Sequence, residues 1–206
     1  MSLAAALWRA NADLAETAVN HRFVRGIAAG TVPREMFAAY IAQDDFFLEA
    51  YARSYALALA RSPDRPTLLG FADLLGGVRT EMSMHHTYAP DDDSGPAPSG
   101  PAPATVAYTD FLLSVAAHNG VGLTCAAMTP CMRLYAHLGS ALRGSPSDVY
   151  AAWIASYAAP QFHALAKRLE SLLDTHADDC PQVRDAYRRA MELELAFFDA
   201  AADMAL

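Results

Sequence analysis

PREMFAAYIAQDDFFLEAYARSYALALAR, residues 33–61, reads as one long helix. Phe37, Tyr40, Ile41, Asp44, Phe47, Leu48 and Tyr51 recur at three- and four-residue intervals, so they share one helical face. Pro33 suits a first helical turn, where its missing N–H costs nothing, and Pro63 and Pro66 punctuate the exit. An acid, Asp44, stands in the middle of this apolar stripe. The C-terminal stretch repeats the pattern, with Glu194 among Tyr187, Ala190, Met191, Phe197, Phe198 and Ala201. A buried carboxylate is costly unless it is hydrogen-bonded, paired or protonated. Two of them facing inward predict a polar pocket inside a helical core.

Working outward, the rest of the chain also reads as helices, and strand-type alternation is scarce. A first helix is expected from about Leu3 to Asn20, with Leu7, Leu14 and Ala18 inward, then a break around Gly26–Gly30. Another spans about Thr67 to Tyr88, with Leu68, Phe71, Leu75, Val78 and Met82 on one stripe. PDDDSGPAPSGPAP, from Pro90 to Pro103, is too rich in Pro, Gly, Ser and Asp for a helix and reads as an interhelical loop. Helices follow from about Ala104 to His118 and from Gly122 to Leu138, the latter with Pro130 inside. A short one opens at Pro146 and runs to Tyr157, another starts at Pro160, and the last follows Pro181 and ends near Ala202. The expected architecture is all-α: one domain over residues 1–206, a bundle of seven or eight helices.

Bulk properties narrow the function. The formal net charge is −8, and Lys167 is the only lysine, which argues against a nucleic-acid surface. No charge-free apolar run is long enough to suggest a membrane span, and the N-terminus lacks the basic cluster of a signal peptide. Cys125, Cys131 and Cys180 are odd in number and not closely spaced, which fits reduced thiols in a cytoplasm better than a disulfide framework or a zinc site.

Pro130-Cys131 is the sharpest local feature. A mid-helix proline removes one backbone bond and bends the helix, leaving polar backbone near the thiol, with Tyr135 one turn on. A thiol becomes a nucleophile through a lowered pKa or an adjacent base, and here the base must arrive from another helix. The same cysteine also reads as an inert core thiol beside a packing kink. Cys125 and Cys180 read as structural. Asp44 has a plainer reading too, as an anchor paired with Arg53 or His21, and Glu194 as a partner of an arginine. Asp45 and Glu49 belong nearer the surface. Phe47, Tyr51, Tyr108, Tyr135, Tyr157 and Phe197 suit an aromatic slot with hydroxyls at its rim, a shape that takes a flat heteroaromatic ligand. Glu81 and His85, four apart, share a face, but a di-iron bundle needs Glu-x-x-His pairs and the chain has none, so no metal and no cofactor is expected. His118, His163 and His176 read as capping or surface residues, and Gly76-Gly77 as a kink or close helix contact.

Five segments in order carry a family likeness: HRFVRGIAAGTVPREMFAAYIAQDDFFL (21–48), PAPATVAYTDFLL with Tyr108, MTPCMRLYAHLG with Cys131 and Tyr135, WIASYAAPQF with Tyr157, and Glu194-Leu-Ala-Phe197. The chain resembles the thiaminase II (TenA) family, of the haem-oxygenase-like all-helical fold. The resemblance implies a cytoplasmic homotetramer in thiamin salvage. Its activity would be hydrolysis of 4-amino-5-aminomethyl-2-methylpyrimidine, and in many members of thiamin, to the hydroxymethyl pyrimidine. It implies Cys131 as nucleophile, Glu194 as acid/base and Asp44 as the carboxylate that orients the aminopyrimidine. Tyr108, Tyr135 and Tyr157 would bond or contact the substrate, with Phe47 and Phe197 as apolar walls. One departure stands out: the family commonly has a tyrosine where this chain has Phe47. A lost buried hydrogen bond is worth about 0.5–1.5 kcal/mol net. That departure keeps a non-catalytic pyrimidine-binding or regulatory protein as one alternative; a metal-dependent helical oxygenase is another.

Overall fold

In the computed structural model, which describes residues 1–88 and 100–203, every regular element is a helix among the described residues. The elements are α1 (Leu3–Ala10), α2 (Ala12–Asn20), α3 (Arg22–Ala29), α4 (Arg34–Ala60), α5 (Arg65–Tyr88), α6 (Pro103–His118), α7 (Val121–Ala141), α8 (Ala151–Ala158), α9 (Pro160–His176) and α10 (Pro181–Asp203). The all-α reading therefore holds, with ten helices among the described residues rather than seven or eight.

The difference lies at the short elements. The stretch expected as one helix from Leu3 to Asn20 divides at Asn11, which leaves the helical region at φ −116°, ψ 23°. Its amide donates to the Leu7 carbonyl at 2.9 Å, a local side-chain bond that competes with helix continuation. The break placed around Gly26–Gly30 is narrower than expected. Gly26 is helical within α3, and only Gly30 leaves the helix, as a left-handed C-cap at φ 71° that suits a residue without a Cβ. The helix expected from Pro146 starts later, at Ala151, because Ser147 instead accepts a turn bond from the Tyr150 N–H. Most of the Pro90–Pro103 loop lies outside the described residues. Several expected core positions differ: Leu14, Leu75 and Met82 are half-buried and Leu68 is exposed.

α4 packs against α5 and α6, and α7 packs against α8, α9 and α10, so the two longest apolar stripes meet around one core. Three devices fix the elements that carry the pocket. Gln43 pins the start of α6: its Oε1 accepts from the Ala102 N–H and the Thr105 hydroxyl, each at 2.7 Å. Arg61, at the end of α4, donates to the carbonyls of Ala116, Ala117 and Asn119, placing a cation at the C-terminal end of α6. Gly139 lets α7 lie directly on the Tyr157 backbone, because a Cβ there would overlap it.

Candidate active site

Asp44, Phe47, Leu48 and Tyr51 project from one face of α4, as their spacing requires. They meet Glu81 from α5, Cys131, Met132 and Tyr135 from α7, Tyr157 from α8 and Phe162 from α9 around a narrow slot. Its free volume is only about 10 Å³, so the side chains must part for any ring to enter. Tyr108 and Glu194 stand behind this lining and reach it through Cys131, and Phe197 reaches it through Phe47.

The Cys131 thiol hydrogen-bonds with the Glu194 carboxyl. The Tyr108 hydroxyl donates to Glu194 Oε1 at 2.7 Å. Glu194 is 1% exposed, and burial pushes its pKa up to about 8 against the pull of these two bonds, with Asp44 adding repulsion. Burial likewise pushes the Cys131 thiol well above its ordinary value, and the nearby acids add to the shift. The resting pair is therefore thiol and mostly neutral carboxyl, joined by a hydrogen bond.

Asp44 finds a partner that the sequence reading did not assign. His85 is buried, with Nε2 3.3 Å from Asp44 Oδ2 and Nδ1 2.7 Å from Asp45 Oδ1. Burial alone would lower the His85 pKa, but its bonds and charge contacts with Asp44 and Asp45 lift it to about 9. The imidazolium thus gives Asp44 a fixed counter-ion. The partners suggested earlier are engaged elsewhere: Arg53 with Glu49, and His21 with Asp199. No arginine meets Glu194 among the described residues. Asp45 and Glu49 are exposed, as expected.

The tyrosine hydroxyls are not at a rim. They point into the core: Tyr157 donates to Glu81 at 2.7 Å, Tyr51 to the Met128 carbonyl at 2.7 Å, and Tyr135 bonds Tyr40 at 3.0 Å. Aromatic contact builds the walls. The Phe47 ring lies 4.8 Å from that of Tyr108 and 6.1 Å from that of Phe197, and Tyr135 lies 4.7 Å from Tyr157. Cys125 is buried, and burial alone pushes it to about 12, which fits an inert core thiol.

Glu81 is the third acid, lifted to about 7 by burial first and by Asp44 second. Asp44, Glu81 and His85 present one ligand atom each within 4.8 Å of one another. Asp44 and His85 form an ion pair with each other and Glu81 accepts from Tyr157, and α4 and α5 alone supply the three residues, short of the four-helix ligand set of a di-iron site. The shared face of Glu81 and His85 was legible as an i, i+4 pair; their meeting with Asp44 needed the α4–α5 packing.

Glu81, Glu194 and His85 all hold protons more tightly folded than unfolded. The unfolded chain releases its glutamate protons near 4.5 and its histidine proton near 6.5, whereas the native state keeps them to about 7, 8 and 9. Stability linked to these groups is full below pH 4.5 and falls as pH rises, most steeply between about 6.5 and 7, where all three differ. Thermal unfolding at pH 6 and pH 9 checks this: the midpoint is lower at pH 9. An equal or higher midpoint there contradicts the assignment.

The family model described as the TENA/THI-4/PQQC family matches residues 8–204. The chain belongs to this family. It is 35% identical over 185 residues to an aminopyrimidine aminohydrolase of Halalkalibacterium halodurans, covering 86% of this chain and 83% of that protein. It is 31% identical over 204 residues to the thiamine biosynthesis multifunctional protein ThiED of Corynebacterium efficiens, covering 95% of this chain but spanning only 28% of that longer relative. Among solved structures, a TenA family transcription regulator from Silicibacter superposes with a TM-score of 0.88 at 27% identity, over 97% of this chain and 96% of that one. The fold is the haem-oxygenase-like bundle: a Shewanella denitrificans domain of unknown function described by that fold superposes with a TM-score of 0.76 at 13% identity, over 97% of this chain and 91% of that one.

Proposed function

We propose that this chain is an aminopyrimidine aminohydrolase of the thiaminase II type, acting in thiamin salvage. The observation that carries the reading is the Cys131 thiol bonded to a buried Glu194 carboxyl, with Asp44 held by His85 across an aromatic slot. Asp44 binds and orients the aminopyrimidine. Glu194, in its ionised fraction, takes the thiol proton as Sγ bonds to a ring carbon, and passes it to a ring nitrogen. That addition breaks aromaticity, so the group on the exocyclic carbon departs with its bonding electrons. Water then adds at that carbon, the S–C bond breaks, and ring and thiol are restored. Tyr108 steadies Glu194 through its hydrogen bond, Tyr135 and Tyr157 contact the ring, and Phe47 and Phe197 form apolar walls. The reaction needs no metal or cofactor.

We also propose a cytoplasmic homotetramer. The exposed, adjacent Leu68 and Leu69 on α5 suit contact between copies. No described helix is long and apolar enough to cross a membrane.

The test is turnover of 4-amino-5-aminomethyl-2-methylpyrimidine and of thiamin, read as hydroxymethyl pyrimidine formed. At least one is hydrolysed. Tight pyrimidine binding with no product from either would overturn the enzymatic reading in favour of a binding protein, the alternative that Phe47 motivates.

A further inference from the structure

Hydrolysis at the exocyclic carbon moves two protons: one shuttles between the thiol and the ring, and the other comes off the attacking water. Both candidate leaving groups depart from a positively charged nitrogen, either a thiazolium or the ammonium that an aliphatic amine forms at neutral pH. Each leaves as a neutral molecule with the bonding electrons, so departure needs no acid, whereas the water needs a base. Glu194 is committed to the first proton. Having passed it to the ring nitrogen, it must stay ionised to take it back as the S–C bond breaks. Glu194 also stands behind Cys131 and is 1% exposed. Asp44 is held in its ion pair with His85 and is as deeply buried.

Glu81, on α5, is placed differently. It lines the slot with Cys131 and Tyr157, and it also lines a second cavity of about 390 Å³ between α5 and the α8–α9 corner. Thr80 and Gln161, both exposed, line that cavity too, so it joins the wall of the slot to solvent and has ample room for water. Among the described residues, Glu81 is the one acid that lines both spaces. It accepts from the Tyr157 hydroxyl at 2.7 Å, and a carboxylate so held has capacity left to accept from a water. The titratable groups around it are Asp44 from α4, His85 from α5, Tyr157 from α8, and Cys131 from α7. Burial first and Asp44 second lift Glu81 to about 7, against the Tyr157 bond and the His85 charge. A carboxyl in that range takes a proton readily at neutral pH and gives it up again.

We propose that Glu81 is a second catalytic residue, the base that takes a proton from the attacking water and hands it to solvent through the cavity. The inference rests on the pyrimidine-hydrolase reading of the slot. Once the leaving group has gone, the exocyclic carbon is doubly bonded to the ring and electrophilic. The water oxygen bonds to that carbon as one of its protons passes to the Glu81 carboxylate. The electron pair of the exocyclic double bond returns into the ring. Glu194 then takes the ring-nitrogen proton and returns it to sulfur as the S–C bond breaks. The proton on Glu81 leaves to solvent, which resets the site.

Glu81→Gln keeps the size of the side chain and an oxygen that accepts from Tyr157, but it takes no proton. It is assayed with and without sodium azide on whichever pyrimidine the wild type hydrolyses. The expected kcat falls by at least about a hundredfold, while the Kd for hydroxymethyl pyrimidine stays within about threefold of wild type. Azide is an anion that attacks without a base, and once Glu81 is replaced no acid lines the cavity to repel it. Azide therefore raises pyrimidine turnover in the variant by at least about tenfold, with the azidomethyl pyrimidine as product, and changes the wild-type rate by less than about twofold. A Glu81 that only holds Tyr157 in place gives no such rescue. Glu81→Asp draws the base back by one bond and shows a smaller loss with a smaller azide gain; it decides alone if Glu81→Gln does not fold. Glu81→Gln turnover within about threefold of wild type, or no azide gain in either variant, would overturn the role. With wild-type turnover in hand, those outcomes sink Glu81 alone. If the wild type hydrolyses neither pyrimidine, the hydrolase reading fails and the role of Glu81 falls with it.

Discussion

Cys131→Ser loses turnover of any pyrimidine substrate by about a thousandfold or more, the scale seen when a covalent nucleophile is removed. The substitution is nearly isosteric, and the serine hydroxyl keeps a hydrogen bond to Glu194, so the fold and its thermal midpoint change little. A serine in this setting is a poor replacement because its hydroxyl is far harder to deprotonate than a thiol. The thiol already resists ionisation here, since burial and three nearby acids push its pKa well up. Its attack therefore depends on proton transfer to Glu194 at the moment the S–C bond forms. The variant should still bind hydroxymethyl pyrimidine, because Asp44, His85 and the aromatic walls are untouched; equilibrium binding separates this loss of chemistry from loss of the site. Turnover within tenfold of wild type would rule out covalent catalysis by Cys131 while leaving the fold and the slot intact.

How far the sequence carried this site depends on the kind of contact. Asp44 and Glu194 were legible because each interrupts an apolar helical stripe, and 3.6-residue periodicity puts such a residue inside. Cys131 was legible because Pro130 precedes it. What periodicity cannot say is which face of a second helix meets the first. Arg53 and His21 are the partners that charge alone suggests for Asp44, yet its partner is His85, on the helix that packs along α4. Gln43, one residue before Asp44, was not singled out, although it anchors the start of α6 and so sets where Tyr108 meets Glu194. Water is a common partner for a phenol, which favours a rim position for the tyrosine hydroxyls. Here the core supplies Glu81, Glu194, a neighbouring tyrosine and a backbone carbonyl instead, so they turn inward. Short helices were the least legible part of the fold. A single side-chain bond at Asn11 divides what periodicity reads as continuous.

The buried polar set also explains why this core tolerates three acids. Each is answered by a different device: His85 supplies a charge to Asp44, Tyr157 a donor to Glu81, and Tyr108 with Cys131 two donors to Glu194. Where no charge is supplied, protonation answers instead, and Glu81 and Glu194 hold their protons near neutral pH. Asp44 contributes to both shifts, so the carboxylate that faces the imidazolium helps keep the other two neutral. Glu81 and Glu194 are thereby left able to take up and release protons near neutral pH.

Glu194→Gln puts catalysis and stability in opposition. The amide keeps the size of the side chain and an oxygen that can accept from Tyr108, but it can neither take the thiol proton nor deliver it to the ring. Removing a positioned acid/base costs about 10²–10⁴ in rate, so kcat should fall within that range with hydroxymethyl pyrimidine binding largely retained. Stability moves the other way. Above its folded pKa of about 8, the wild-type carboxylate is ionised, 1% exposed and close to Asp44, so it opposes folding there. The amide carries no charge at any pH. The variant therefore melts higher than wild type at pH 9, and its midpoint falls less between pH 6 and pH 9, because one of the three linked protons has been removed. A merely structural Glu194 with the same raised pKa would give the gain in alkaline stability with kcat unchanged. A catalytic acid/base held in a core that resists its charge gives lower activity together with a gain in alkaline stability, and it is the pairing of the two measurements that identifies the role.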